Sequence, residues 1–246
     1  LLNPIAGSDV SFKDEWWTEY EVRPYVINVY IMVDPAHSKK KESNRTAMAV
    51  VGVDSNFNKF LLDGCCHRMT LSEKWTYLKR LRTKWKRAPG VREVKVGYER
   101  YGAQSDIEHY KAMMSSDGSS FPIYELNWVG GGGSQSKKDR IQRLEPDLKD
   151  GSFYFPYPTD EKFLTSNQVD FKDRNQAFLI SKKIICIDEN RKTYDLTKWM
   201  KDNEYSLFPT IHPDFLDALS RIYDMDPIPP RIRTGRVLEP ATEAAY

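Results

Sequence analysis

Residues Tyr25-Val-Ile-Asn-Val-Tyr-Ile-Met-Val-Asp34 decide the fold. The run is apolar and β-branched almost throughout and ends abruptly on a carboxylate. A strand with no polar alternation is one buried on both faces, as in the centre of a sheet with helices above and below. Thr46 to Val53 is a second run of the same kind. The turn residues Asp54-Ser-Asn-Phe-Asn58 follow, and Lys59 to His67 makes a third strand. Short links between three strands predict an antiparallel meander.

Working outward, Leu71 to Arg87 carries Leu71, Trp75, Leu78, Leu81 and Trp85 at three- and four-residue steps. That spacing gives a helix one apolar stripe, with Ser72 as its expected cap and Pro89-Gly90 as its end. Val91 to Glu99 reads as a fourth strand, Ser105 to Met114 as a helix and Phe121 to Val129 as a fifth strand. A short helix stopped by Pro146 and a strand Phe153-Tyr-Phe155 come next. Lys183 to Asp188 and Lys192 to Leu196 flank Glu189-Asn-Arg191 as a hairpin. Pro213 to Tyr223 is the last helix. The order predicts an α/β protein: a ribonuclease-H-like mixed central sheet (βββαβαβ) flanked by helices, with an additional β-hairpin insertion. Residues 1–24 read as an N-terminal linker or entry segment, 25–226 as the ribonuclease-H-like domain, and 227–246 as a Pro-rich tail.

Composition narrows the function. The chain of 246 residues has 40% hydrophobic and 13% aromatic residues, too many for a disordered protein. Lys+Arg 37 against Asp+Glu 35 excludes a polybasic nucleic-acid coat, so a nucleic-acid role needs local basic patches. Cys65, Cys66 and Cys186 make neither a disulfide framework nor a zinc motif and suit a reducing compartment. No apolar run approaches the roughly 20 residues of a membrane span. The chain opens on Leu1, which suggests a piece of a longer protein.

Carboxylates stand where chemistry is expected. Asp34 ends the first strand, Glu99 ends the fourth, and Asp214 and Asp217 lie three apart on the last helix. In a sheet of this order the first and fourth strands are neighbours, so the four acids converge. Clustered carboxylates repel unless cations neutralise them. Oxygen donors without Cys partners suit Mg²⁺ or Mn²⁺, and two such ions about 3.5–4 Å apart can drive phosphodiester hydrolysis. His37 and His212 stand close enough in sequence to join such a site, whereas His67 and His109 read as structural. Lys39, Lys40, Lys41 and Arg45, and the later group Lys137, Lys138, Arg140 and Arg143, are the candidate DNA-backbone contacts. Lys74 to Arg87 is more basic still, but an amphipathic helix needs a polar face in any case.

In order along the chain stand Val29-Tyr-Ile-Met-Val-Asp-Pro-Ala36, Ala49-Val-Val-Gly-Val-Asp54, Phe60-Leu-Leu-Asp63 and Val96-Gly-Tyr-Glu-Arg-Tyr-Gly-Ala-Gln104. Ser136-Lys-Lys-Asp-Arg-Ile141, Phe155-Pro156, Phe208-Pro209 and Asp214-Phe-Leu-Asp-Ala-Leu219 complete the set. Together they resemble the nuclease domain of the large terminase subunit of tailed bacteriophages over residues 25–225. The resemblance implies a metal-dependent endonuclease cutting double-stranded concatemeric viral DNA during genome packaging. Asp34 then matches the first-motif aspartate that bridges two Mg²⁺ or Mn²⁺ ions, Glu99 the second-motif acid and Asp217 the third. Asp214 stands just upstream, in His212-Pro213-Asp214 where relatives commonly show His-Asp-Asp. Implied partners are double-stranded DNA, an ATPase motor domain, the small terminase subunit and the portal of the procapsid, with no membrane. The implied location is the host cell cytoplasm. The 183–196 hairpin would gate the site. No Gly-x-x-x-x-Gly-Lys-Ser/Thr phosphate loop occurs, so the motor itself is absent from this chain. Two other readings share these features: a Holliday-junction resolvase or transposase-like nuclease, and a non-catalytic docking module.

Overall fold

Continuous apolar strands come first because they leave the chain least choice. β2 (Ile27–Asp34) and β3 (Thr46–Val53) have every residue buried, and they pair antiparallel with Asp34 opposite Ala47. The computed structural model describes residues 12–36, 45–99, 105–126, 134–157 and 177–231. In it β1 (Thr18–Tyr20), β4 (Lys59–His67), β5 (Val91–Glu99), β6 (Ile123–Leu126) and β7 (Phe153–Pro156) complete a seven-stranded sheet of order β1-β7-β4-β3-β2-β5-β6. Only β3 runs against the other strands. A three-stranded meander extended by parallel strands at both edges is a ribonuclease-H-like arrangement.

Helix α1 (Leu71–Lys86) crosses one face of the sheet, burying Trp75, Leu78, Leu81 and Trp85. Its cap is Thr70, not Ser72: Thr70 Oγ1 accepts from Glu73 N, and Glu73 returns a bond to Thr70 N at 2.7 Å. That reciprocal pair satisfies two of the helix's free N–H groups. Helix α2 (Ser105–Asp117) lies beside it, with Tyr110 stacked on Trp75. Helices α3 (Ser134–Gln142) and α4 (Glu145–Lys149) lead into β7. Pro146 sits in the first turn of α4. It therefore starts that helix rather than stopping one, since the missing N–H would be unbonded there anyway.

The opposite face receives α5 (Leu196–Asn203), α6 (Phe215–Ser220) and a 3-10 turn over Arg221–Met225. Two glycines admit them. A Cβ on Gly64 would stand 3.0 Å from the Phe215 ring, and one on Gly97 would collide with Met225 Sδ at 2.4 Å. The hairpin β8 (Ile185–Ile187) and β9 (Thr193–Asp195) forms separately. Tyr194 Oη ties it to Cys66 N and O, and Glu189 ties it to Arg68.

Two segments differ from the sequence reading. Residues 12–24 are no linker: Phe12 is buried against Tyr205 and Phe208, and β1 pairs parallel with β7. The last helix, expected over 213–223, is α-helical for six residues only. Ser220 Oγ donates to the Asp217 carbonyl, and the chain tightens into the 3-10 turn that seats on Gly97. The three cysteines are free and buried. No helix among the described residues is long and apolar enough to cross a membrane.

Candidate metal centre

β2 and β5 are parallel neighbours with Val33 beside Tyr98, so the next residues, Asp34 and Glu99, stand side by side at the strands' carboxyl ends. α6 packs over the same end and brings in Asp217. Each of the three carboxylates offers an oxygen, and these oxygens lie within 4.8 Å of one another. All three residues are buried, Asp217 completely.

Side chains from neighbouring elements hold this corner. The Ala36 N–H donates to Thr46 Oγ1 at 3.0 Å, fixing the chain just past Asp34. Behind it Lys74 Nζ reaches the Ala36 carbonyl and Asp106 (2.7 Å), and Tyr98 Oη donates to the same Asp106 at 2.6 Å. One buried lysine thus links α1, α2 and the ends of β2 and β5. Glu204, nearly all buried, accepts the N–H groups of Asp214, Phe215 and Leu216 at 3.0, 3.1 and 2.8 Å. It caps α6 from a distant segment, as an anion at a helix N-terminus does. Burial pushes its carboxyl up to about 7, partly offset by those N–H bonds.

Three cations stand among the acids. Arg140 Nε donates to Asp217 Oδ1 (2.5 Å) and its terminal nitrogen to Oδ2 (2.6 Å), a bidentate fork. Lys137 Nζ lies 3.2 Å from both Asp214 Oδ1 and Asp217 Oδ2. Arg221, fully buried, contacts Glu99 Oε1 and donates to Asp224 at 2.8 Å. Burial opposes charge on Lys137 and Arg140, yet the surrounding carboxylates raise both above their ordinary values. Asp34 is raised too, which for an acid favours the neutral form: burial first, then Glu99 and Asp217, hold its carboxyl well above the usual range. A buried acid pressed by like charges favours its neutral form until a cation arrives.

The oxygen-only donor set fits a hard divalent cation. Glu99 Oε2 is buried with no hydrogen-bond partner, an acceptor left open toward such an ion. Asp214 stands apart from the three-acid group. It occupies the position before α6, with Oδ2 accepting the Arg45 N–H at 2.9 Å, while Oδ1 shares the Lys137 ammonium with Asp217 at the flank of the cluster.

The other candidate residues divide. Lys137 and Arg140 lie in the centre, and Lys138 is half-buried beside them on α3. The Arg45 guanidinium lies 5.0 Å from the Trp199 ring, and Arg143 pairs with Asp224. Lys39, Lys40, Lys41 and His37 fall outside the described residues. His212 is exposed, and His67 Nδ1 lies 3.3 Å from Tyr194 Oη. Sequence reasoning missed Glu204, Arg221, Lys74 and Thr46. Arg221, four residues past Asp217 and set among Leu216, Leu219 and Ile222, offered a signal; Glu204 offered none.

The chain is similar to the nuclease domains of large terminases. The nuclease of the thermophilic phage G20c large terminase superposes with a TM-score of 0.45 at 13% identity, covering 88% of this chain and 98% of that one. The Mn-soaked human cytomegalovirus terminase nuclease domain gives 0.41 at 10%, covering 80% and 97%. The fowlpox virus Holliday junction resolvase gives 0.34 at 16%, covering 61% and 93%. No family model matches the chain, and no curated protein matches it.

Proposed function

We propose that this chain is a divalent-metal-dependent DNA endonuclease, the nuclease domain of a large terminase that cuts concatemeric viral DNA. One observation carries the reading: Asp34, Glu99 and Asp217 meet in a buried, oxygen-only cluster at the carboxyl end of β2 and β5. The terminase assignment is supported by the motif order from Val29 to Leu219 and its resemblance to that family.

Asp34, Glu99 and Asp217, with Asp214 beside them, would hold two Mg²⁺ or Mn²⁺ ions. Such ions, when bound, polarise the phosphodiester and lower the pKa of coordinated water. The chain's own residues do the rest. Burial of the acids strengthens their attraction for cations, and the Thr46 and Lys74 bonds keep the Asp34 corner in place. Lys137, partly exposed beside Asp214, is a backbone-phosphate contact, as are Lys138, Arg140 and Arg45; such contacts position a duplex without reading its sequence. The products carry 5′-phosphate and 3′-hydroxyl ends. On this reading the chain works beside an ATPase motor, a small terminase subunit and a portal, in the host cytoplasm.

Incubating the protein with supercoiled plasmid and Mn²⁺ tests it. EDTA-sensitive nicking and linearisation are expected, reduced at least about a hundredfold in Asp34→Asn, the scale for loss of one preorganised electrostatic group. No EDTA-sensitive cutting, or full activity in Asp34→Asn, overturns the proposal. Preference for four-way junctions over linear duplex would redirect it to junction resolution.

A further inference from the structure

Both oxygens of Asp217 are engaged by cations. Its two oxygens receive three donors: Arg140 through Nε and a terminal nitrogen at 2.5 and 2.6 Å, and Lys137 at 3.2 Å. Glu99 keeps Oε2 without a hydrogen-bond partner. Among the described residues, Lys137, Arg140 and Arg221 thus already stand against the acids before any metal binds. A divalent ion bound through Asp217 must therefore displace a donor from its oxygens.

Arg221 is not the one to leave. It is fully buried behind Glu99 and also held by Asp224. Arg140 is different. It is buried too, but it comes from α3, the helix that also bears the half-buried Lys137 and Lys138. Among the described residues it makes no ion pair with Asp224, and a guanidinium fork fits a phosphate as well as it fits a carboxylate.

We propose that Arg140 is a transferable counter-ion: it closes Asp217 in the DNA-free protein and passes to a backbone phosphate when DNA binds, freeing Asp217 for metal. This rests on the nuclease reading and makes metal loading depend on DNA. The dependence is reciprocal, so metal must tighten DNA binding by the same factor.

The test is Mn²⁺ binding by titration calorimetry, with and without a short duplex carrying non-hydrolysable linkages. Without DNA, Arg140→Gln should bind Mn²⁺ about tenfold tighter than wild type, within the usual range of site coupling. Adding the duplex should tighten Mn²⁺ binding to wild type and leave the variant nearly unchanged. Unchanged or weaker Mn²⁺ binding by a folded Arg140→Gln, or no effect of the duplex on wild type, overturns the proposal. Should Arg140→Gln fail to fold, Arg140→Lys keeps the charge and loses the fork. Tighter binding than wild type then supports the transfer, and equal or weaker binding overturns it. Wild-type protein that binds no Mn²⁺ with or without DNA would instead refute the nuclease reading itself.

Discussion

Glu204 and Asp34 are both buried carboxyls in the same half of the molecule, and burial raises both, but their surroundings differ. Glu204 accepts three backbone N–H groups at the start of α6, dipoles that stay in place whatever else binds. Asp34 faces Glu99 and Asp217, two more acids. The first arrangement stabilises the fold by giving a helix end its acceptor. The second is costly in the absence of metal and has value only when a cation is present. Buried acids of structure and of chemistry are therefore told apart by their partners rather than by their depth.

Substitution should give opposite signs at the two sites. The largest effect is expected at Glu204→Ala, which leaves three buried N–H groups without an acceptor. A loss of about 3 kcal/mol in urea unfolding is expected, since each unmet buried group costs about 1–3 kcal/mol. A loss below about 1 kcal/mol would erase the distinction. Asp34→Asn should instead raise the stability of the metal-free protein, by about 1 kcal/mol or roughly 2–4 °C in melting temperature, because it removes a charge from a repelling cluster. A lower melting point in EDTA would mean that the acids support the fold.

A pH series sharpens the same comparison. Both carboxyls bind protons more tightly folded than unfolded. Their contribution to stability is therefore complete below their ordinary range near 4 and is lost as pH rises, for Glu204 through about 7. In EDTA, unfolding free energy should fall between pH 5 and pH 8, and fall less in Glu204→Gln. Equal slopes would show that Glu204 does not titrate there. The smallest effect belongs to a partly exposed ion pair. Arg68 and Glu189 meet at 2.7 Å between β4 and the hairpin turn, and Glu189→Gln should cost less than about 1 kcal/mol in the urea midpoint analysis.

How much of this was legible follows from where each part draws its stability. β3, β4 and β5 have the bounds expected from sequence, because buried runs ended by turn residues leave few registers. β1 is three residues long and pairs with a strand far along the chain, so nothing local marks it. Asp34 and Glu99 were visible as strand-end acids, and Asp214 and Asp217 as a pair three residues apart on the last helix, where both stand beside Lys137. Glu204 was invisible, as capping from another segment leaves no sequence period.

Strand β2 has a mechanical consequence. At its start, Asn28 Nδ2 and Tyr30 Oη donate to the Ile228 carbonyl, and the Ile228 N–H donates back to Tyr30 Oη. At its far end stands Asp34. Eight residues of extended chain make a strut about 25 Å long. Every residue of it is buried, and strands flank it on both sides, so it cannot flex without parting its neighbours. A pull on the chain at Ile228 therefore loads the same rigid member that carries the first acid.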